Sequence, residues 1–587
     1  MCGIIGFIGK EYGPKFTVEG LKTLEYRGYD SWGIAFPEDN DFKIVKDVGK
    51  LGGEDFDRIV SLKSDICMGH TRWATHGTVT KVNAHPHVSN NNQIAVVHNG
   101  IIENFQYLRY FLQNEGYKFK TETDTEVIPN LIEYYMKEQN FEEATKSALN
   151  ILEGSYAIIA MHAKENTLIG SRDNSPLVLG IGDNEYFLAS DVPAFLEHTN
   201  KVIFLEDKDF ITINNNSFEI YNLGSNETIV PEIKKIEWNL EQAKLGIFDH
   251  FMIKEINEQK FTIKSSIEQD PHLIKNVTEM INNAFGVFLV GCGTSYHACV
   301  SASYLFSKIA RKHVNVTLAS EFRNYENFLT PKTLIIAVSQ SGETADLLDA
   351  VKFAKKHHCS IISIVNVVGS TLTRVSDLVI FMNAGPEICV LSTKSYTSQL
   401  AIFTLLIYSC ADRLKDVKEL IQKACDSVDN IINNNVEKLK DLATKLKDSK
   451  SIFLIGRDLA YPSALEGALK IKEVSYIHAE GFAGGELKHG TIALIDEAVP
   501  VLTFCTDVTR DLIINNAMEV KARGAYTIGI GSINNEAFNY FIQIPDFGDA
   551  NPITMIIPVQ MLAYYLALER GCNPDRPRNL AKSVTVK

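Results

Sequence analysis

A chain of 587 residues is too long for one hydrophobic core, and at roughly 150 residues per domain it predicts three or four domains. Its composition, 45% apolar and 22% charged, is globular, and no apolar run reaches the ~18 residues that span a bilayer, which excludes a membrane protein. A net charge of −14 with dispersed Lys and Arg excludes a general nucleic-acid binder and directs attention to a small-molecule substrate.

The first residues, MCGIIGFIGKEYG, lack the basic n-region and cleavage site of a signal peptide, so a cytoplasmic location is expected. Ten cysteines without a CxxC pair argue against a disulfide framework or a zinc ribbon. Residues 1–230 carry short β-type runs at 3–8, 93–98, 155–162 and 186–189, punctuated by Gly and Asn turns, which predicts a mixed, strand-rich domain. From 236 to 259 the pattern is helical and charged, with Trp238, Phe248, Phe251 and Met252 as scattered anchors, and reads as a linker.

Beyond Lys275, apolar runs of four to six residues alternate with long amphipathic segments, the pattern of a parallel sheet covered by helices. This half repeats itself. VFLVG at 287–291 matches IFLIG at 452–456, and Tyr296 and Tyr461 follow at the same distance, an offset of 165 residues. At that offset Glu321 and Phe322 fall on Glu486 and Leu487, and the apolar run 334–338 falls on 499–503. Solenoid periods are only about 20–50 residues, so two duplicated α/β domains are expected, joined near 415–445.

Removal of Met1 would leave Cys2 with a thiol and a free α-amine, whose reference pKa of about 7.7–8.0 suits it as the thiol's base. Acyl transfer needs oxyanion donors, and His98, Asn99 and Gly100 close an apolar strand with a side-chain amide beside a Gly N–H. A glutamine substrate needs charge partners at its α-carbon. Arg72, in TRWATHG, offers a guanidinium fork for the carboxylate, and Asp124, in TETD, a carboxylate for the ammonium. His70, His76, His85, His87 and His98 lie close enough to suggest a metal, but without HExxH or carboxylate-supported spacing they read as hydrogen-bonded structural histidines. By spacing alone, Trp73 reads as core.

The segments CGI at 2–4, RGYDS at 27–31, RWATHG at 72–77, NAHPH at 83–87, HNGIIEN at 98–104 and TDTE at 123–126 together resemble the class II glutamine amidotransferases. The resemblance implies an N-terminal nucleophile (Ntn) hydrolase fold, a four-layer αββα sandwich. It makes Cys2 the nucleophile and Asn99 and Gly100 the oxyanion hole, and it puts Arg72, Trp73, Thr75, His76 and Asp124 at the glutamine. Trp73 becomes a gate between the glutamine site and an ammonia passage.

In the second half, GCGTS at 291–295 follows an apolar run and opens a helical pattern, offering backbone N–H groups and hydroxyls to an anion. SQSGET at 339–344 repeats the arrangement with three hydroxyls around a glycine. Neither has the Lys of a P-loop nor a full GxGxxG, which disfavours nucleotide and suits a sugar phosphate. The equivalent stretch of the second copy, FCTDVT at 504–509, lacks the glycine turn and brings an acid, so copy one is expected to bind phosphate and copy two to supply other catalytic groups. Ser463 and Glu466 have capping-box spacing at a helix start, and Glu466, Lys470 and Glu473 share one helical face.

These loops resemble sugar isomerase (SIS) domains, and GGELKHG at 484–490 with RNLAKSVTVK at 578–587 is similar to the synthase halves of glucosamine-6-phosphate synthases. The resemblance implies an α/β multidomain chain: an amidotransferase domain at 1–238, a linker and helical connection at 239–274, and two flavodoxin-like parallel-sheet SIS domains at 275–420 and 421–587. Ser339, Gln340, Ser341 and Thr344 would cradle the phosphate, with Cys292, Gly293, Thr294, Ser295, Val390, Ser392 and Ala581 lining the sugar site. His489 would open the sugar ring from the neighbouring subunit of a homodimer, Lys582 would form a Schiff base, and Glu473 would move a proton with help from Lys470. The substrates implied are L-glutamine and D-fructose 6-phosphate, with internal ammonia transfer and no metal or redox cofactor.

Two positions depart from the pattern: Thr491, where Pro is common after KHG, and Leu391, in place of a smaller residue. They put local loop shape in doubt. Another class II amidotransferase would need a phosphoribosyl-binding second half, which 339–344 disfavours. A non-catalytic sugar-phosphate sensor is disfavoured by intact Cys2, Glu473, His489 and Lys582.

Overall fold

The computed structural model describes residues 2–52, 54–73, 76–236 and 244–585. Thr75 and Trp238 lie outside the described residues. The chain divides into two units, Met1–Glu241 with Ala581–Lys587, and Gln242–Leu580.

The first unit is built on two antiparallel sheets. In the eight-stranded sheet the central strands are Tyr186–Ala189, Gly3–Ile8, Ile66–Arg72 and Ser31–Glu38, with Asp41–Val48 at one edge. In the seven-stranded sheet Asp209–Ile213, Leu168–Asp173, Gly154–His162 and Ile94–Ile102 are central, with His87–Val88 at one edge. Successive side chains of a strand point to opposite faces. Ala95, Val97, Ala157 and Ile159 therefore pack with Ile4, Ile8 and Met68 in one core between the sheets. Ile94, Val96, Ile158 and Ala160 face the other way, onto Leu108, Ile128, Leu131 and Ala144 of the helices Phe105–Asn114, Val127–Tyr135 and Phe141–Asn150. The helix Gly13–Leu24 covers the outer face of the eight-stranded sheet, completing the αββα layering. Both central strands are thus buried on both faces, which is why their sequences read as continuous apolar runs.

The second unit contains two five-stranded parallel sheets. One runs in space Asn315–Leu318, Gly286–Gly291, Thr333–Ser339, Ser360–Val365, Leu378–Phe381. The other runs His478–Ala483, Ser451–Gly456, Pro500–Cys505, Tyr526–Gly531, Tyr540–Gln543. Both have the order 2-1-3-4-5, so the sequence repeat is a repeated flavodoxin-like fold. A single 33-residue helix, Leu414–Leu446, occupies the region between the copies. The helices Phe251–Asn257 and Gln259–Ile267 bury Met252, Ile256 and Ile263 in the same large core. The segment Gly548–Glu569 is long and apolar enough to cross a membrane, but 89% of its apolar window is buried inside this core.

Candidate active sites

In the first unit the site is assembled by strand pairing. Gly3 lies opposite Thr71 and Ser31 opposite Arg72, which brings Cys2 beside the end of the strand Ile66–Arg72. The Trp73 N–H donates to Cys2 Sγ at 3.1 Å, and the Asn99 amide Nδ2 donates to the Cys2 carbonyl at 2.9 Å. Asn99 Oδ1 is buried without a hydrogen-bond partner. Gly100 follows at φ +129, where a side chain would collide with the Ser155 carbonyl of the paired strand, so the position admits only glycine. The Arg72 guanidinium donates to the carbonyls of His76, Gly77 and Thr78, drawing the 76–78 turn around it. Asp124 is buried and accepts the Ile102 N–H at 2.8 Å. RGYDS braces this corner: Asp30 N–H donates to the Arg72 carbonyl at 2.9 Å, and Tyr29 meets the Trp73 ring edge-on at 6.0 Å.

Burial pushes the Cys2 thiol pKa up, opposed by the backbone contact from Trp73 and by the positive charge of Arg72. Burial also lowers the Arg72 pKa, and Cys2, Asp30 and Asp124 act against that. The structure therefore brings Cys2, Arg72, Trp73, Asn99, Gly100 and Asp124 into one neighbourhood. His76 has a buried Nδ1 without a partner among the described residues, and its ring lies against Phe105.

The other histidines form a close-packed group, tilted or edge-on to one another, with hydrogen bonds at its margins. His70 and His85 are 4.1 Å apart by ring centroid and His85 and His87 4.5 Å. His70 Nε2 contacts the His98 carbonyl at 3.1 Å, His98 Nδ1 meets the Thr125 hydroxyl at 2.9 Å, and His87 Nε2 meets that of Thr123 at 3.2 Å. Burial lowers all four pKa values, that of His70 to about 3, so the rings are neutral. Among the described residues no cluster of His, Cys, Asp and Glu is arranged to hold a metal ion.

In the second unit, the strands Gly286–Gly291 and Thr333–Ser339 are neighbours whose connections leave in opposite directions along the sheet. Their carboxyl ends meet at the topological switch point, where open α/β sheets bind ligands. Cys292 precedes the helix Gly293–Leu305, and Ser295, on its first turn, accepts from Gln399 at 3.0 Å. Ser339 ends its strand and its hydroxyl accepts the Gly342 N–H at 2.9 Å. The Ser341 hydroxyl accepts the Glu343 N–H at 3.2 Å, and Thr344 precedes the helix Ala345–Lys356 without capping it. Gly342 sits at φ +67 against Ser370 and Val365, so a side chain there is both strained and obstructed. Gln340, Ser341 and Thr344 are partly exposed around the amino end of a 12-residue helix, as an anion cradle requires.

The helix Ala460–Ser475 corrects the sequence reading. The expected capping box is absent: the helix starts three residues before Ser463, whose hydroxyl is buried without a partner. Glu466 is completely buried instead, and its carboxylate accepts from Thr294 Oγ1 at 3.0 Å and pairs with His297 Nδ1 at 2.8 Å and Lys470 Nζ at 3.3 Å. Lys470, equally buried, also reaches Glu473 at 2.9 Å, Thr294 at 3.0 Å and the Ser392 carbonyl at 3.2 Å. Burial works against the Lys470 charge, but the Glu466 and Glu473 carboxylates outweigh it and raise the pKa, so the ammonium persists. Burial raises the Glu473 pKa, with Lys470 pulling the other way.

Val390 is buried and donates its N–H to the Asp575 carbonyl at 3.1 Å. His489 is exposed at the end of the short turn Glu486–His489. Ala581 and the half-buried Lys582 belong to the segment grouped with the first unit. Of the two departures, Leu391 is buried and Thr491 opens the short turn Thr491–Leu494. Sequence reasoning did not single out His297 or Gln399. His297 lies one helical turn beyond Thr294, so its spacing was a usable signal.

Comparison with known proteins supplies the remaining evidence. The glutamine amidotransferase domain matches residues 70–197, and the SIS domain matches twice, at 280–409 and 445–570. Over its full length the chain is 44% identical to the glutamine–fructose-6-phosphate aminotransferase (isomerizing) of Pyrococcus horikoshii and 43% identical to that of Thermococcus kodakarensis, covering 100% of each. The solved C-terminal domain of glucosamine-fructose-6-phosphate aminotransferase from Francisella tularensis, 32% identical, superposes with a TM-score of 0.52 over 57% of this chain and 99% of that one. Both halves, in order and at full length, therefore match one kind of enzyme, and the chain belongs to the glutamine–fructose-6-phosphate aminotransferase (isomerizing) family.

Proposed function

We propose that this chain transfers the amide nitrogen of L-glutamine to D-fructose 6-phosphate, giving L-glutamate and D-glucosamine 6-phosphate. The observation that carries this reading is the buried Glu466–Lys470–Glu473 network joined through Thr294 to the loop region that offers an anion cradle. Boundaries at 1–238, 239–274, 275–420 and 421–587 divide the labour.

With Met1 removed, the α-amine of Cys2 takes the thiol proton and the thiolate attacks the glutamine amide carbon. The Asn99 amide and the Gly100 N–H hold the oxyanion, while Arg72 and Asp124 hold the α-carboxylate and α-ammonium, with Trp73, Thr75 and His76 around them. Collapse expels ammonia and leaves a thioester at Cys2, and water releases glutamate. At the sugar, Ser339, Gln340, Ser341 and Thr344 bind the phosphate, and Cys292, Gly293, Thr294, Ser295, Val390, Ser392 and Ala581 shape the pocket. His489, acting on a second copy in a homodimer, opens the ring. The amine of Lys582 condenses with the C2 ketone, losing water. Ammonia then displaces the lysine, and Glu473 moves a proton from C1 to C2 to give the aldose amine. A carboxylate whose burial raises its proton affinity suits that transfer. Lys470, held between Glu466 and Glu473, orients it. The reaction is placed in the cytoplasm.

Incubation with amide-15N glutamine and fructose 6-phosphate should give 15N-glucosamine 6-phosphate. Cys2→Ala should lose glutamine hydrolysis and keep synthesis from added ammonia. Borohydride should trap the sugar on Lys582, and Lys582→Arg should lose the adduct. Absence of the amino sugar with either nitrogen source refutes the reading.

A further inference from the structure

The first unit contains a cavity of about 700 Å3 that this chemistry does not use. It opens where two sheet edges approach, the strand Asp41–Val48 from one sheet and His87–Val88 from the other. Ligand cavities are typically ~300–1,000 Å3. Its lining includes Lys43, Lys46, Arg58, Lys81 and Lys120, against a single acid, Glu126. In a chain of net charge −14 such a cationic wall does not follow from composition. Glu126 offsets part of it, its charge acting on Lys46 while its carboxylate accepts the N–H groups of Lys120 and Thr121 and the Thr121 hydroxyl at 2.7–2.8 Å, so the lining keeps an excess of cations. Lys43 is paired with Glu38 on the rim. Leu62 and Val82 give the lining an apolar part.

Lys46 links this cavity to the glutamine site. Its ammonium donates to the carbonyls of Ala84 at 2.9 Å and Pro86 at 3.0 Å, leaving a third N–H for a ligand. Those carbonyls flank His85, whose ring lies tilted against that of His70 at 4.1 Å between centroids, and His70 contacts the His98 carbonyl, one peptide from Asn99. Burial lowers the Lys46 pKa to about 8, so an anion would hold it in the charged form.

We propose that this cavity binds a small polyanion, a phosphate ester or polycarboxylate, and that occupancy alters glutamine hydrolysis by drawing Lys46 from the carbonyls around His85. Binding stands by itself, whereas the regulatory half rests on the glutaminase reading above.

Calorimetric titration of the full chain with pyrophosphate, and separately with citrate, tests it, with fructose 6-phosphate saturating to fill the other anion site. Saturable binding is expected, with proton uptake when measured near pH 8. Lys46→Gln, and independently the surface pair Lys81→Gln with Lys120→Gln, should weaken it at least about tenfold. Val82→Trp should block it, and Ser341→Ala should leave it intact. Binding of pyrophosphate alone identifies a phosphate ester, and of citrate alone a polycarboxylate. Glutamine hydrolysis should change at least twofold with anion in the native protein but not in the surface pair, whose basal rate stays native. No saturable binding below about 10 mM, or binding lost with Ser341→Ala and kept in the lysine variants, overturns the site. Binding with unaltered hydrolysis overturns the regulation. Binding to a protein that never hydrolyses glutamine sinks the glutaminase reading and leaves the site standing.

Discussion

The two parallel-sheet copies of the second unit share one strand order, yet at equivalent places they hold different groups. After the third strand, copy one has Gly342 and the hydroxyls of Ser339, Ser341 and Thr344 around a helix start. In copy two the aligned position is Asp507, whose carboxylate accepts from Ser532 at 2.7 Å and pairs with Arg510 at the start of the helix Arg510–Lys521. Copy two thus carries its own anion where copy one is proposed to take an external one. After the first strand the roles reverse. Copy one contributes the neutral Thr294 together with His297, and copy two contributes the charged Glu466, Lys470 and Glu473. A duplicated scaffold supplies the same two strand–helix units twice, and specialisation consists in which groups each copy's units carry.

Substitutions in both copies test that division, in falling order of effect. Lys470→Met should be the most damaging, because it leaves the fully buried Glu466 carboxylate and the partly exposed Glu473 without their shared cation. Breaking a buried pair costs about 3–5 kcal/mol, read as a lowered Tm, and amino-sugar formation should fall below detection while Cys2-dependent glutamine hydrolysis continues. Gly342→Asp would make copy one imitate copy two. It places a non-glycine residue at φ +67 against Ser370 and a carboxylate where the phosphate is proposed to sit, so fructose 6-phosphate binding should disappear from a calorimetric titration. Ser341→Ala or Thr344→Ala removes one donor to a charged group and should weaken the same binding by about 1.5–3 kcal/mol. The matching Thr506→Ala and Thr509→Ala should leave it unchanged, since those hydroxyls meet each other at 2.9 Å in the copy already carrying an acid.

Much of this was legible in sequence wherever the signal is local or periodic. The strand-and-glycine units at 287–291 and 452–456 gave both the repeat and the position of the ligand loops, because a tight strand–helix turn must be written in adjacent residues. Cys2, Arg72, Asn99 and Asp124 were found by residue type, and strand pairing brought them together. What sequence obscured depends on tertiary packing. Ser463 and Glu466 have the spacing of a helix cap, but the partners of Glu466 lie about 170 residues away on another helix, and burial there overrides the local rule. The scattered anchors Phe251 and Met252 were visible as apolar residues, but what they pack against was not. The cationic cavity draws its lysines and Arg58 from four separate segments, so no window of sequence contains it.

The smallest effect expected is also the most direct test of why copy two lacks an external anion. If Asp507 is the internal substitute, Asp507→Gly should vacate the place without disturbing the core, since Asp507 is exposed and lies in the turn before a helix. Arg510 would lose its Asp507 partner and, with Ser532 and the hydroxyls of Thr506 and Thr509, would face a helix amino end where Asp546, which accepts the N–H of residue 507 at 2.8 Å, is the neighbouring carboxylate. A helix end with one cation is a weak anion site worth about 1–2 kcal/mol, so inorganic phosphate should bind only with a Kd of about 30–200 mM, additional to the binding proposed at copy one. A Ser341→Ala background that suppresses copy one would isolate the new site. Two outcomes count against the comparison: no added phosphate binding in Asp507→Gly, and equally strong binding in the parent chain. The first would mean that loop shape, set by the glycine at 342, distinguishes the copies, and the second that Asp507 never excluded the anion.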